Sequence, residues 1–311
     1  MRVFITGATG HHGSLLVPEL IAAGHHVTAL ARSDTSAAAV AALGAEVRRG
    51  DLADLNGLRE AAVESDGVIH VAVDRDRLQS GEVGAVVDAD LGAVHTFAEA
   101  LTGTDKPLVA ASSLGAPGSL GRPLTEEDPA LPGGPEHKGT LRARNEVEIF
   151  VVGLAEQGVR SSAVRLPPVS HSTQDRSGFL VQLIALAKQK GVSGYPGDGT
   201  NLWPAVHALD VASLFRLALE NGPAGGRWHG VGDEGIPFRE IAQGIGDRLG
   251  LPTRSVPADQ VPAHFGFLAY PTRLNIPTSN LITRQTLGWE PVHPGLLADL
   301  DNGHYFTTPV S

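Results

Sequence analysis

Short apolar runs alternate with amphipathic stretches through the first half of the chain. The runs predict strands at Val3–Ile5, Val27–Leu30, around Val47, at Val68–Val73 and at Leu108–Ala111. The stretches between them have helical spacing and predict helices at Leu15–Ala23, Ala37–Leu43, Leu55–Val63 and Val83–Leu101. Strands that alternate with helices indicate a parallel sheet covered on both faces. The pattern therefore predicts an α/β fold with a doubly wound parallel sheet.

The second half of the chain is less regular. It predicts a strand at Ser162–Leu166, ended by Pro167-Pro168, and helices at about Thr140–Gln157, Phe179–Lys190, Val211–Glu220 and Phe238–Leu249. We expect a larger domain over residues 1–165, with a return segment near 205–235. A smaller C-terminal lobe, built from residues 166–204 and 236–311, is expected to hold the substrate.

Composition narrows the function classes. The 311 residues are 42% hydrophobic and carry a formal net charge of −10, without a basic block, so neither nucleic acid nor a membrane surface is an expected partner. The absence of cysteine removes disulfides and thiolate chemistry. The 13 histidines show no metal-ligand spacing, and no metal is expected. The opening apolar run is too short for a signal peptide, so a cytoplasmic location is expected.

A glycine-rich turn joins the first predicted strand to the first predicted helix. It reads Thr6-Gly7-Ala8-Thr9-Gly10-His11-His12-Gly13. In such a turn Gly7 allows the tight bend, Gly10 lets a pyrophosphate approach the backbone, and Gly13 lets helix and strand pack closely. The N–H groups of His11 and His12, at the helix start, would receive the phosphates. The turn therefore predicts a dinucleotide site.

The end of the second strand favours one dinucleotide over the other. NAD-binding proteins place a carboxylate there for the ribose hydroxyls, whereas this chain has Ala31-Arg32-Ser33. A guanidinium can hold a 2′-phosphate with two hydrogen bonds. Arg32 and Ser33 therefore predict NADP(H), with NAD(H) as the alternative, although Asp34 would offset part of the charge.

The Gly-x-x-Gly-x-x-Gly spacing resembles the extended or atypical branch of the short-chain dehydrogenase/reductase superfamily. Other landmarks of that branch have counterparts in order along most of the chain: Gly50-Asp51-Leu52, Val68–Val73, Ala111-Ser112-Ser113, Arg165–Val169, Gly197-Asp198-Gly199 and Val206–Val211. The resemblance implies a Rossmann-type NAD(P)-binding domain. It implies cofactor contacts at Asp51, Leu52, Val71, Ala72, Val73 and Pro167, and a catalytic serine at Ser113. A homodimer is left open.

One feature of that superfamily is missing. Its members use a Tyr-x-x-x-Lys pair, in which the tyrosine moves a proton and the lysine holds the nicotinamide ribose. The three tyrosines are Tyr195, Tyr270 and Tyr305, and none has a lysine four residues later. The preferred register places Thr140 at the tyrosine position and Arg144 at the lysine position, one helical turn apart. A register two residues earlier gives Lys138 and Arg142.

Neither register supplies the usual phenolic acid, threonine is a poor proton donor, and arginine does not titrate near neutral pH. His171 and Tyr195 are the first candidate replacements, and His137 and Lys138 are further ones. Trp203 stands where enzymes acting on sugar nucleotides carry an arginine, and it could cover an apolar ring. These residues predict NADP(H)-dependent reduction of a carbonyl or related group on a small, fairly apolar molecule. The alternatives are a non-redox isomerase, lyase or cyclase, and a dinucleotide sensor without catalysis.

Overall fold

The structure is a computed structural model, and it describes residues 1–74, 77–78, 80–115, 120–137 and 139–307. The strands are β1 Arg2–Thr6, β2 His26–Ala31, β3 Glu46–Arg49, β4 Gly67–His70, β5 Pro107–Ser113, β6 Arg160–Leu166, β7 Val169–His171, β8 Ser193–Pro196, β9 Leu202–His207, β10 Gly226–His229, β11 Asp233–Pro237 and β12 Thr253–Val256.

The α-helices are α1 Gly13–Ala22, α2 Asp34–Ala42, α3 Leu55–Glu64, α4 Val83–Leu101, α5 Asn145–Gly153, α6 Phe179–Lys190, α7 Ala208–Asn221, α8 Phe238–Leu249, α9 Val261–Phe265, α10 Leu281–Leu287, α11 Leu296–Asp301 and α12 His304–Thr307. Short 3₁₀ segments lie at Pro135–His137, Leu141–Arg144, Leu154–Gln157, Gly266–Ala269 and Pro271–Arg273. In the part of the chain that the structure describes, no helix has the length and apolar character needed to cross a bilayer.

Seven strands form one sheet in the order β10-β6-β5-β4-β1-β2-β3, and every pair in it is parallel. The predicted doubly wound sheet is therefore confirmed. Alternation along β1 explains how both faces are covered. Val3 and Ile5 pack on the side of Leu16 and Phe215, whereas Phe4 belongs to the cluster on the opposite face.

The C-terminal lobe has its own apolar core around two small sheets, β11-β9-β7 and β12-β8. Trp203 lies on the central strand of the first sheet and is fully buried. Its ring centroid is 4.9 Å from that of Phe238 and 6.0 Å from that of Phe179. The expectation that Trp203 lines a substrate pocket is therefore wrong, because these rings enclose it in the core.

The predicted helix over Thr140–Gln157 is broken into three pieces. Thr140 has an extended backbone (φ −108°, ψ 160°), a 3₁₀ turn follows over Leu141–Arg144, and α5 begins at Asn145. A 3₁₀ helix has about three residues per turn, so residues four apart point about 120° away from each other. Thr140 and Arg144 therefore do not share one helix face, contrary to the sequence expectation.

Candidate active site at the sheet switch point

The order of the large sheet creates a crevice between β1 and β4. From β1 the chain builds β2 and β3 on one side, and then crosses to β4 on the other. In open parallel sheets, ligands bind outside the carboxyl ends of the two strands where the order reverses. The glycine-rich turn follows β1 directly, and Val71, Ala72 and Val73 follow β4. Both expected cofactor segments therefore meet at this crevice.

Two glycines of the turn are required by the chain itself. Gly7 has a φ of +81°, and a Cβ placed there would lie 2.6 Å from the backbone nitrogen of Ala72. A Cβ on Gly13 would lie 2.1 Å from the carbonyl oxygen of Gly7. Side chains at these positions would collide with fixed backbone, so both glycines hold the turn against β4 and α1.

Gly10 is different, because the fold does not demand a glycine there. It is exposed, its φ is not positive, and the nearest atom to a Cβ placed on it would be the Gly7 oxygen at 3.3 Å. A small shift would accommodate a methyl group. The bare surface at Gly10 fits a pyrophosphate that must lie against the backbone, as the sequence motif predicts.

The first helix also lacks a side-chain cap. His12 is the N-cap residue of α1 and makes no capping hydrogen bond, whereas Ser33 caps α2 by accepting from the Ser36 N–H at 3.1 Å, and Asp54 caps α3. The leading N–H groups of a helix need acceptors from outside it. The start of α1 faces the crevice, and phosphate oxygens would supply those acceptors.

The side chain of His11 has a role that its sequence position did not reveal. Its Nε2 lies 2.8 Å from the hydroxyl of Ser172, and the hydroxyl of Ser14 donates to Gln174 at 3.0 Å. These contacts join the glycine-rich turn to the segment that follows β7. Side-chain hydrogen bonds therefore connect this region to the C-terminal lobe. The same turn lies at the expected phosphate site.

The tip of β2 carries the predicted specificity residues. Arg32 is 64% exposed in its side chain, and its Nη1 lies 3.7 Å from Asp74. Asp34, which was expected to offset Arg32, instead pairs with Arg49 at 2.9 Å. Ser33 serves as the cap of α2. Arg32 therefore presents a largely exposed guanidinium at the tip of β2, 3.7 Å from Asp74.

The segment after β3 is shaped by Asp51. Its carboxylate accepts from the N–H groups of Ala53 at 2.8 Å and Asp54 at 3.2 Å, while Leu52 packs against the core under α3. Asp51 thus shapes the turn after β3, a role that its sequence motif alone did not show.

Pro167, another expected cofactor contact, directly follows β6 and is buried.

Adjacent serines at the end of β5 face different surroundings. Ser113 is exposed, and its hydroxyl accepts from the N–H of Gly115 at 3.1 Å. Ser112 donates to Glu148 of α5, and Glu148 in turn forms a buried ion pair with Arg165, whose Nε lies 3.1 Å away. Ser113 is therefore the serine available to a ligand, and Ser112 belongs to the interior.

Arg144 is held by a buried carboxylate that the sequence motifs did not identify. Its Nη2 lies 3.2 Å from Oδ2 of Asp90, which is 1% exposed. Oδ1 of Asp90 lies 3.8 Å from Nε2 of His70, and Nδ1 of His70 lies 2.7 Å from the hydroxyl of Thr6. Thr6 and His70 end β1 and β4, so this chain of polar groups leads from the crevice to Arg144.

A signal for Asp90 was present in the sequence. Val86, Val87, Val94 and Phe97 form the buried stripe of α4, and Asp90 falls within it at helical spacing. A carboxylate on an otherwise apolar helix face is almost never fully buried unless it is paired. That position predicts a cationic partner, although the sequence does not identify which one.

The rival register does not meet the same surroundings. Arg142 donates to the carbonyl of Pro132 at 3.0 Å and lies 3.2 Å from His137, within its own loop. Lys138 lies outside the described residues. Thr140 is exposed, and its hydroxyl donates to the carbonyl of His137 at 2.8 Å. Of the arginines in the two registers, Arg144 is the one that contacts Asp90, and through it the polar groups that lead to the crevice.

His171 does not face an open site. It is fully buried, its Nδ1 lies 2.8 Å from the carboxylate of Asp299, and its ring packs edge-on against that of His207. The sequence placed His171 at the nicotinamide end as a replacement acid. Because β7 pairs with β9, its side chain turns into the C-terminal lobe, so in this conformation it does not meet a substrate.

The three tyrosines are separated. Tyr195 is half-buried in the lobe and packs close to Gly199, where a Cβ would lie 2.7 Å from its ring. Tyr270 is 75% exposed. The hydroxyl of Tyr305 accepts from the N–H of Ser172 at 3.0 Å, and burial raises its pKa well above the usual value. Tyr305 is therefore a structural residue that anchors the segment after β7.

Comparisons with known proteins agree with this arrangement. The model of the NAD dependent epimerase/dehydratase family matches residues 3–229. An uncharacterised protein of Schizosaccharomyces pombe is 41% identical over 98% of this chain and 100% of its own length. A 4-hydroxy-2-methyl-3-oxo-4-farnesyl-3,4-dihydroquinoline-1-oxide ketoreductase of Stigmatella aurantiaca is 31% identical over 72% of this chain and 66% of its own.

Among solved structures, the UDP-glucose 4-epimerase of Thermus thermophilus in complex with NAD superimposes with a TM-score of 0.70. It is 25% identical and covers 99% of both chains. The family match spans well over half of the chain and includes the glycine-rich turn, Ser113 and Arg144. The chain therefore belongs to the NAD dependent epimerase/dehydratase family, the extended branch of the short-chain dehydrogenases/reductases, whose enzymes use a nicotinamide dinucleotide.

Proposed function

We propose that this protein is an NADP(H)-dependent reductase of a carbonyl or related group on a small, fairly apolar molecule. The observation that carries the proposal is the juxtaposition at the switch point. Gly10, which is uncrowded, and α1, which has no side-chain cap, follow β1; Ser113 ends β5 at the same edge of the parallel sheet, and Asp90 holds Arg144. The ketoreductase among the relatives supports carbonyl chemistry.

The choice of NADP(H) rests on Arg32. Its guanidinium is exposed, and the exposed 3.7 Å pair with Asp74 is worth only about 0–1 kcal/mol. Hydrogen bonds to a charged phosphate are worth roughly 1.5–3 kcal/mol. Arg32 would therefore leave Asp74 for a 2′-phosphate, and Ser33 offers a hydroxyl beside it.

The bound nicotinamide would supply the hydride. Ser113 would donate a hydrogen bond to the acceptor oxygen, and Arg144 would hold ribose hydroxyls and place positive charge near that oxygen. Asp90 keeps the guanidinium oriented through its 3.2 Å contact. The fixed charge of Arg144 suits it for binding and polarisation, and prevents it from delivering a proton.

The proton would come from another group. The buried His171 is withdrawn, and Tyr195 is the candidate to test first, ahead of His137 and Lys138. Tyr195→Phe would then change the pH profile of turnover and leave NADPH affinity unaltered. An unchanged profile would remove Tyr195 and leave the proton to solvent.

The experiment is a panel of small carbonyl compounds with NADPH, followed at the nicotinamide absorbance, with Ser113→Ala and Arg144→Ala as site variants. Oxidation of NADPH that is lost in both variants supports the proposal. The missing Tyr-x-x-x-Lys pair favours one alternative, a non-redox isomerase, lyase or cyclase that keeps the dinucleotide. Substrate conversion with unchanged NADPH would identify that alternative, and binding without any conversion would identify a sensor.

Two further expectations concern the setting in which the enzyme works. We propose a cytoplasmic enzyme with a small-molecule substrate as its partner, and a homodimer as its assembly. Light scattering on the purified protein gives the assembly mass directly, and a monomeric mass would contradict the dimer. Cell fractionation gives the location, and a membrane-bound or exported pool would contradict the cytoplasmic assignment.

A further inference from the structure

Residues from three distant segments meet inside the C-terminal lobe. His171 ends β7, His207 ends β9, and the two are register partners in neighbouring parallel strands. Asp299 of α11 approaches from the other side, with its Oδ2 2.8 Å from Nδ1 of His171. One donor atom of each of these three residues lies within 4.8 Å of a donor atom of the other two.

Core packing alone does not account for His171. Its side chain is fully buried, and among the described residues its Nε2 has no hydrogen-bond partner. A buried nitrogen without a partner is costly, and an apolar residue of similar size would fill the space without that cost. The ring is held through its other nitrogen, Nδ1, which lies 2.8 Å from the carboxylate of Asp299, so the interaction at Nδ1 is what a histidine supplies at this position.

His207 provides a second imidazole, and its ring centroid lies 5.3 Å from that of His171. The ring of His293 stacks on His207 with centroids 4.7 Å apart, and Nδ1 of His293 lies 2.7 Å from Asp210. A second carboxylate is thus close to the group.

We propose that His171, His207 and Asp299 bind a divalent transition-metal ion, such as Zn²⁺. Two imidazole nitrogens and a carboxylate oxygen favour zinc, cobalt or nickel over magnesium and calcium, which prefer oxygen ligands. The ion takes the place of the proton that His171 and Asp299 share. It clamps α11 to the ends of β7 and β9, and so fastens the C-terminal segment to the lobe.

Two features around His207 oppose binding. Nδ1 of His207 accepts a 3.2 Å hydrogen bond from the N–H of Leu209 at the start of α7. A metal on either ring nitrogen of His207 removes that bond, which is one helix cap. The positive end of α7 also faces the site, whereas the carboxylates of Asp299 and Asp210 act in the opposite direction.

The test uses full-length protein without a polyhistidine tag, treated with chelator and dialysed. Calorimetry with ZnCl₂ measures affinity and stoichiometry, and thermal unfolding is recorded with and without Zn²⁺. The variants are His171→Gln, His207→Gln and Asp299→Asn. His26→Gln is the matched control, because His26 is an exposed histidine of β2 outside the site.

One Zn²⁺ per chain is expected, with a Kd in the micromolar range or below and a higher unfolding temperature. Each site variant should weaken binding by roughly 100-fold, and His26→Gln should not. Equal affinity in the site variants and the control, or no binding to the wild type, overturns the proposal. If a variant unfolds, Co²⁺ added to the wild type decides, because a tetrahedral site gives intense visible absorption and a hydrated ion does not. Catalysis is not measured, so the result is independent of the proposed function.

Discussion

The cofactor preference assigned to Arg32 can be worked out from its contacts. A bidentate pair with the 2′-phosphate contributes roughly 1.5–3 kcal/mol. Leaving Asp74, at 3.7 Å in an exposed pair, costs about 0–1 kcal/mol. With Asp74 counted, the net preference is about 0.5–3 kcal/mol, which is about 2- to 160-fold in affinity. Arg32→Ala should lower NADPH affinity by that factor and leave NADH affinity unchanged.

Calorimetry with both cofactors on the wild type, Arg32→Ala, Arg32→Lys and Asp74→Asn checks this reasoning. Lysine should recover part of the preference, because an ammonium group cannot form the planar fork. Asp74→Asn removes the competing carboxylate and should strengthen NADPH binding severalfold. Arg49→Ala is the matched control, because Arg49 is occupied by Asp34. Equal affinities of the wild type for NADPH and NADH would refute the assignment.

Three further predictions concern other parts of the molecule. Gly10→Val should abolish dinucleotide binding in a folded protein, whereas Gly13→Ala should destabilise the fold, because its Cβ would lie 2.1 Å from backbone. Arg144→Ala should weaken cofactor binding by about 1.5–3 kcal/mol, with partial recovery in Arg144→Lys and little effect of Thr140→Ala. Burial lowers the pKa of His229 from 6.5 to about 3, so stability should fall by about 2 kcal/mol between pH 7 and pH 5.

The sign of the His229 effect follows from its partners. Nδ1 donates to the carbonyl of Ser279 at 2.8 Å, and Nε2 accepts from Arg165 at 3.3 Å, so the folded state holds the neutral ring. In the unfolded chain the imidazole of His229 binds a proton as the pH falls below its usual pKa of 6.5, whereas in the folded state it stays neutral. The free energy of unfolding therefore decreases as the pH falls. Urea unfolding at pH 7 and pH 5 measures the loss, and His229→Gln should reduce it. An undiminished loss in that variant would assign the effect to other groups.

The Gly10 and Arg144 predictions each have a control. Circular dichroism separates a folded Gly10→Val from a misfolded one, and retained binding in a folded variant would mean that the phosphate site lies elsewhere. If Thr140→Ala stops turnover while Arg144→Ala leaves binding and turnover intact, the register is wrong. The pairing of Lys138 with Arg142 would then replace it.

The sequence by itself determined the doubly wound parallel sheet and the position of the dinucleotide turn. Both depend on short-range patterns: alternating strands and helices, and three glycines whose spacing only a strand-to-helix turn requires. The bounds of α6 and α8 also agree with the sequence prediction, because each has a clear apolar stripe and ends at a glycine, Gly191 and Gly250, in the left-handed conformation.

Only the tertiary structure decided which side chains meet. Arg144 contacts Asp90, which is 54 residues away in the sequence, and His171 contacts Asp299, which is 128 residues away. No local periodicity encodes such contacts, because they depend on how whole elements pack. The same packing enclosed Trp203 in the core and turned His171 away from the crevice. A residue's place in a motif predicts its position along a strand, but the neighbouring elements determine what its side chain touches.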